Sequence, residues 1–278
     1  MLLALLSTVF AAAPPALYAL KVEKASCSVV ERSPPSWKPK VVVQLKACEP
    51  NRFQWSPDGR RALVERPQPV LVEVASRRAT PLPAPPGEAD GFAFGKDGRV
   101  YAFSVDKAHG RGVLSVLEGG RYREVESISL ARHGQEPWGS FLSNDWVSSL
   151  KAFQDLAFSV NTEPSEAPTQ EEAKLLSSFQ AEGPGWRVVR SGGTTLAYES
   201  CGTDACFGAC TPVVVLREKK AIKLPLGQGE PDECLSVQAG RDFVVVTRPA
   251  GAFVFDAKTG ALLFAAPPDE KNARLPEP

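Results

Sequence analysis

Histidine and methionine are scarce in this chain, which holds two His and one Met in 278 residues. A site that needs several imidazoles, for metal or for proton transfer, has almost nothing to be built from. Net charge is missing as well, because 32 Lys+Arg are balanced by 32 Asp+Glu. That balance excludes the basic excess a phosphate backbone normally demands, so no nucleic-acid partner is expected. No apolar run reaches the roughly 20 residues that cross a bilayer. Long helices are not expected either, since 25 Pro and 22 Gly punctuate the sequence. What is present is an ordinary globular composition, 43% hydrophobic and 23% charged, in a length that suits one large or two modest domains. Many short strands are the expectation, and a helical bundle is not.

The first thirteen residues, MLLALLSTVFAAA, are uncharged and mostly apolar and run into Pro14 and Pro15. They read as a secretory signal peptide over residues 1–13, with Val9 and Ala11 placed for the −3 and −1 positions and a mature chain starting near Ala12. Met1 contributes only its amino group where Lys or Arg is usual. Cys27 follows Lys24, Ala25 and Ser26, which is not a lipoprotein context, so no stable membrane anchor is expected. A periplasmic or secreted location follows, and in that compartment six cysteines are expected to pair. Cys27 and Cys48 flank the proline-rich SPPSWKPK and suit a bridge across the base of a hairpin-like excursion, adding about 3 kcal/mol on the chain-entropy estimate. Cys201, Cys206, Cys210 and Cys234 allow three pairings; Cys201 with Cys210 and Cys206 with Cys234 is the preferred one. The competing reading is a four-thiolate metal or iron-sulfur site, but C-x4-C-x3-C matches neither a zinc knuckle nor the plant-type cluster run. No metal and no cofactor are expected.

The informative presence is self-similarity. FQWSPDGRRALV (53–64) has an aromatic-apolar approach, an Asp58-Gly59 turn and an apolar exit, and FAFGKDGRVYAF (92–103) repeats it with Asp97-Gly98. Weaker versions are FLSNDWVSSL, with a turn near Asp145, WRVVRSGGTTLAYES with Gly192-Gly193, and CLSVQAGRDFVVVTRP with Gly240. The markers at 59, 98, 145, 193 and 240 lie 39, 47, 48 and 47 residues apart. Each reads as a hairpin whose turn residues supply positive φ. A second hairpin follows in at least four units: PVLVEVASRRATPLP, GVLSVLEGGRYREVES, PVVVLREKKAIKLPL and AFVFDAKTGALLFAAP. Four antiparallel strands in about 40 to 45 residues, repeated, are the sign of a propeller blade, so the expected class is all-β and β-propeller-like, with about five four-stranded units in five to six blades. A sandwich does not predict an even period.

WSPDGRRALV (55–64) and VFDAKTGALL (254–263) resemble the two halves of the TolB-type propeller repeat, a relative of the WD-repeat family. The resemblance covers residues 50–267 at pattern level. It implies a rigid ring with loops on two faces and a protein or peptide partner. The strands of ALYALKVEKASCSVV and PKVVVQLKACE, within residues 17–48, read as the element that closes the ring or as a partial extra blade, and residues 268–278 as a polar tail. One short inserted helix near 170–181 is signalled by Thr169 as N-cap, Glu172 at N3, and Ala173, Leu176 and Phe179 at helical spacing.

No catalytic, cofactor-binding or metal-binding residue is assigned. Asp58 and Gly59 are accounted for by turn geometry and Trp55 by packing between blades. His109 and His133 fall in polar loops without an adjacent partner. Ser148-x-x-Lys151, Ser159-x-Asn161 and Lys258-Thr259-Gly260 match the three elements of the penicillin-binding families, but only eight residues separate the first two, and the third already reads as a hairpin turn. Glu230, Asp232 and Glu233 lack calcium-loop spacing, and Arg121-Tyr122-Arg123 and Lys219-Lys220 sit at turns beside acids. The function expected is an exported binding or scaffolding module for a protein or peptide partner, without catalytic activity. The alternatives are a hydrolase or lyase with a polar site in the propeller channel, and a structural envelope protein without a dedicated ligand.

Mass-spectrometric mapping of the unreduced, exported protein is expected to find a new N-terminus between about Ala12 and Leu20 and no free thiol. An intact Met1, or stoichiometric zinc or iron on the cysteines, is the contrary result.

Overall fold

The computed structural model describes residues 16–276, apart from 25, 47, 66–67, 131–146, 148, 157–164, 180–184, 201–208, 227–234 and 249–250. Its strands form five four-stranded sheets, each antiparallel throughout and each ordered like a propeller blade. Four of them are consecutive in the chain. Blade 2 holds β4 (Phe53–Trp55), β5 (Arg61–Val64), β6 (Val70–Glu73) and β7 (Arg78–Pro81). Blade 3 holds β8 (Glu88–Phe94), β9 (Val100–Asp106), β10 (Arg111–Glu118) and β11 (Arg121–Ser129). Blade 4 comprises β12 (Trp186–Ser191), β13 (Thr194–Ser200), β14 (Ala209–Arg217) and β15 (Lys220–Lys223), and blade 5 comprises β16 (Ser236–Ala239), β17 (Phe243–Arg248), β18 (Gly251–Asp256) and β19 (Leu262–Ala265). Both hairpins expected in each of these four units are present.

Blade 1 is assembled from both ends of the chain. Its order is β20 (Glu270–Arg274), β1 (Leu17–Val22), β2 (Cys27–Arg32) and β3 (Lys40–Leu45), with Tyr18 opposite Arg274 and Lys21 opposite Glu270. The stretch expected as a polar tail is therefore partly a strand. EKNAR has no β-branched or aromatic residue to announce one; it is held by pairing with β1 and by burial of Glu270, Ala273 and Arg274. Glu270 tolerates burial because Arg32 grips it with two nitrogens, Nε at 2.7 Å from Oε2 and Nη2 on Oε1, while Arg32 Nη1 donates to the Trp37 carbonyl. Cys27 and Cys48 are disulfide-bonded with Cα atoms 6.1 Å apart, joining the start of β2 to the residues just past β3.

Middle strands are apolar on both sides because both faces of a blade are covered by neighbours. Val244, Val245 and Val246 of β17 are all fully buried, as are Val213, Val214 and Val215 of β14. The fourth strands face solvent: β11 alternates half-buried and exposed residues, and β19 exposes Leu262 and Leu263. Neighbouring blades meet largely through their first strands, β20 against β4, β4 against β8, and β12 against β16, with β17 and β18 packing on β20. Trp37, from the β2–β3 loop, stacks on Phe264 at 5.4 Å and meets Phe243 edge-on at 5.6 Å, so blade 1 also hooks onto blade 5.

Between blades 3 and 4 much of the chain lies outside the described residues. The hairpin proposed around Asp145 lies mostly outside the described residues. Among those described between β11 and β12 there are only isolated bridges, a 3-10 turn (Lys151–Asp155) and one short helix, α1 (Gln170–Leu176). The insertion packs on both neighbours. Val147, Leu150 and Leu156 join Phe103 and Leu114 of blade 3, and Leu176 joins Val188, Ala197 and Val214 of blade 4. Helix α1 carries the expected capping box: Thr169 Oγ1 accepts from Glu172 N and Glu172 Oε2 accepts from Thr169 N. It ends at Leu176, several residues earlier than the sequence pattern suggests; Phe179 still packs partly against blade 4.

Replacing Glu270 by Ala leaves Arg32 buried without its counter-ion, and urea unfolding should show a loss of about 3–5 kcal/mol. The paired change Arg32→Met with Glu270→Leu should cost less than the single one. A single variant within about 1 kcal/mol of the parent would contradict the role given to this pair.

A candidate binding site between blades 2 and 3

The residues that stood out in the sequence prove to be structural. In WSPDG, Trp55 is buried against Tyr18 and Phe53, and its Nε1 donates to the Asn272 carbonyl of blade 1. Ser56 Oγ donates to Asp58 Oδ1 and accepts from Arg61 N, and Gly59 turns the chain at φ 66°. A Cβ on Gly59 would stand 2.9 Å from the Leu275 carbonyl oxygen, so the close approach to the C-terminal segment also requires glycine. Arg274 Nη2 reaches the Pro57 carbonyl at 2.7 Å, and Arg61 Nη2 reaches the Gly98 carbonyl at 2.6 Å, which ties the turns of successive blades together. Lys258-Thr259-Gly260 is the β18–β19 turn: Asp256 Oδ1 accepts from Lys258 N, Thr259 N and Thr259 Oγ1. A catalytic strand role for that triplet is thereby lost.

His109 is an exposed loop residue whose Nδ1 lies 2.8 Å from Asp106 Oδ2, with Arg111 Nε on the same oxygen at 3.1 Å. The His109 contact is first among the effects that hold the Asp106 carboxyl below its usual range. Among the contacts of the described residues, no nucleophile joins this pair. His133, Ser148, Ser159, Asn161, Glu230, Asp232 and Glu233 lie outside the described residues, as do Cys201, Cys206 and Cys234; Cys210 is on β14 opposite Glu199. Among the described residues no group of three His, Cys, Asp or Glu could hold a metal ion, and no helix is long and apolar enough to cross a membrane.

Among the described residues, one feature that can take a ligand is a cavity of about 720 Å³, within the range of small-molecule and peptide pockets. It opens on the side of the molecule that carries the links between blades and the loops between second and third strands. Three segments build it. The β7–β8 link, Leu82-Pro83-Ala84-Pro85, forms one wall; Pro residues lack the N–H that would tie the link into a sheet, and Leu82 N is held by the Pro69 carbonyl at 2.9 Å. The start of β8 forms a second wall. There the register with β9 shifts between Ala89 and Gly91, and such a bulge re-aims the intervening side chain, here Asp90. Glu49, at the exposed link from blade 1, and Glu65, past the end of β5, complete the lining.

Charge and apolar surface are separated within it. Phe92, 4% exposed, and Leu82 supply apolar wall. Glu65 is deep, with a side chain 6% exposed; Gln54 Nε2 donates to its Oε1 at 3.0 Å and Arg52 stands 3.8 Å from its Oε2. The same Gln54 nitrogen donates to the Phe92 carbonyl at 2.9 Å, so this amide spans two lining residues, and its Oε1 is buried without a partner among the described residues. Asp90 is half-buried and Glu49 exposed, so three carboxylates stand at three depths. None of the described lining residues carries positive charge, and Arg52 stands behind Glu65. None of these residues was singled out in the sequence, where Glu49, Glu65 and Asp90 are separated acids in three different units; the proline-rich PLPAPP at 81–86 was the one local hint of an unusual link.

The turn carboxylates contribute to the acid sensitivity of the fold. Burial raises the Asp58, Asp97 and Asp256 carboxyls, but hydrogen bonds and nearby cations outweigh it and hold all three below the usual aspartate range. These are Ser56 and Arg60 N for Asp58, Arg99 N, the Arg99 side chain and Tyr101 for Asp97, and Thr259 and Lys258 N for Asp256. A depressed folded pKa adds stability that is complete above the usual value of about 3.9 and is lost as pH falls through the lower folded value. The triple variant Asp58→Asn, Asp97→Asn, Asp256→Asn should therefore be less stable than the parent at neutral pH. Its denaturant midpoint should change less with pH below about 4; an unchanged slope there would contradict the assignment.

No protein-family model matches the sequence, and no curated protein matches it. Among solved structures the chain is similar to propellers. These include the β-propeller domain of the Trilobed protease from Pyrococcus furiosus, at 8% identity and TM-score 0.29, covering 88% of this chain and 80% of that one. TolB from Acinetobacter baumannii is at 9% identity and TM-score 0.26, with 89% of this chain and 52% of that one covered. The C-terminal WD40 domain of Sif2 is at 12% and 0.27, covering 91% and 69%. The sheet order among the described residues is that of a propeller-like all-β protein with five four-stranded blades.

Proposed function

We propose that the chain is an exported binding or scaffolding module that captures a protein or peptide partner and has no catalytic activity. The observation that carries this reading is the cavity between blades 2 and 3. It has apolar walls and polar groups placed at graded depth. Rigid blades hold the two strands that frame it, so the partner meets a preformed surface. The Cys27–Cys48 disulfide supports an oxidising compartment, periplasmic or extracellular.

The test is a peptide-display selection on the full exported chain, repeated with Ala84→Trp, which fills the cavity from an exposed link position and leaves the blade cores untouched. Peptides that bind the parent and lose at least about tenfold in affinity for the variant, about 1.4 kcal/mol, are expected. Failure to enrich any peptide, or binding indifferent to the substitution, would overturn the reading.

A further inference from the structure

Resting on the reading of the cavity as a peptide site, we propose that Gln54 is its positioning residue: one amide sets the spacing of the walls that blades 2 and 3 contribute, and with it the fit of the partner. Gln54 is not itself a lining residue. It stands half-buried on β4, and its Nε2 donates to Glu65 Oε1 at 3.0 Å and to the Phe92 carbonyl at 2.9 Å. An amide nitrogen carries two hydrogens, so these two acceptors use its whole donor capacity. Glu65 belongs to blade 2 and Phe92 to blade 3, and both line the cavity. A shift of either wall is therefore felt by the other through the same nitrogen.

The repeat supplies a comparison. Gln238 holds the matching place, next to last in the first strand of blade 5 as Gln54 is in that of blade 2. Its Nε2 donates to the Ala273 carbonyl at 3.2 Å and its Oε1 accepts from Leu275 N at 2.9 Å, so it too ties one blade to the next. That residue is 2% exposed and those partners are main chain, which makes a fixed seam. Blade 3 has Ala93 at this place, a side chain with nothing to donate. Gln54 differs from Gln238 in giving one hydrogen to a lining carboxylate. A tie shared in this way responds to whatever engages Glu65, whereas the Gln238 tie answers to backbone. The acceptor on blade 3 matters as well. Phe92 follows the register shift between Ala89 and Gly91, so holding its carbonyl fixes the point where regular pairing with β9 resumes, and with it the aim of the bulge at Asp90.

The experiment uses the full chain and a peptide selected on it. Gln54→Glu keeps the shape of the side chain, removes both hydrogens and sets a second carboxylate against Glu65. The exchange of Gln54→Glu together with Glu65→Gln lets an amide–carboxylate hydrogen bond re-form inside blade 2, but position 54 then has nothing to donate to Phe92. Urea midpoint, peptide affinity and the NMR shift of the Phe92 carbonyl carbon are measured for each chain. The single variant should bind the peptide at least about fivefold more weakly, the net worth of one hydrogen bond. The exchange should regain the urea midpoint without regaining affinity, and the Phe92 carbonyl should be displaced in both. Gln54→Met, uncharged and of similar length, replaces Gln54→Glu if that chain does not fold, and the same loss of affinity is expected. Parent-like affinity in the single variant, an unmoved Phe92 carbonyl, or affinity regained along with stability in the exchange would overturn the positioning role and leave the binding module standing. A parent chain that binds no peptide would overturn both readings.

Discussion

The pairing of the last strand with the first is the constraint on which the rest of the molecule depends. Without β20, blade 1 would be three strands, and the faces of β4, β17 and β18 that now meet β20 would lie open. Backbone hydrogen bonds alone would not make EKNAR a strand. The buried Arg32–Glu270 pair supplies the specificity: a carboxylate with no exposure and a guanidinium with little are tolerable only in each other's presence. This also fixes register, since a slip by one residue would turn Glu270 away from Arg32. The Trp37 stack on Phe264 adds a second tie from blade 1 to blade 5, from a different loop and on different physics.

A closure built in this way explains the unequal neighbours of the five blades. Chain ends meet between blades 5 and 1, where strand, ion pair and aromatic stack coincide. On the far side, between blades 3 and 4, the chain spends more than fifty residues on a segment whose described part contains bridges, a 3-10 turn and α1. That segment is fastened to each neighbour separately. Glu126 carboxylate oxygens accept from Lys151 N and Ala152 N on the blade 3 side, while Arg190 holds Glu166 and Glu172 on the blade 4 side. The described part of the insertion thus packs on both neighbouring blades.

How much of this was legible in the sequence depended on whether the cause was local. Turns were readable because Asp-Gly and Gly-Gly are required where φ is positive, and Gly59, Gly98 and Gly193 turn the chain where expected. The capping box was readable because Thr169 and Glu172 act across three residues. Closure was only half readable: β1 to β3 have β-branched runs, whereas β20 owes its conformation to partners more than two hundred residues away. The hairpin expected at Asp145 lies mostly outside the described residues; of that stretch, Val147 and Leu150 pack on blade 3. The cavity was illegible, since Glu49, Glu65 and Asp90 converge only after two blades have been set side by side.

That convergence has a cost that bears on what the site is for. A carboxylate buried like Glu65 forfeits hydration, and an apolar residue of similar size would usually leave the blade as stable or more so. Arg52 and Gln54 are among the groups that replace the lost water, yet the carboxylate still borders open space and not a packed interior. The bulge at Asp90 and the proline link at 82–85 act in the same direction, each withholding a stretch of backbone from regular pairing beside the opening. Three local departures from the most stable choice, on three separate segments, thus face one space.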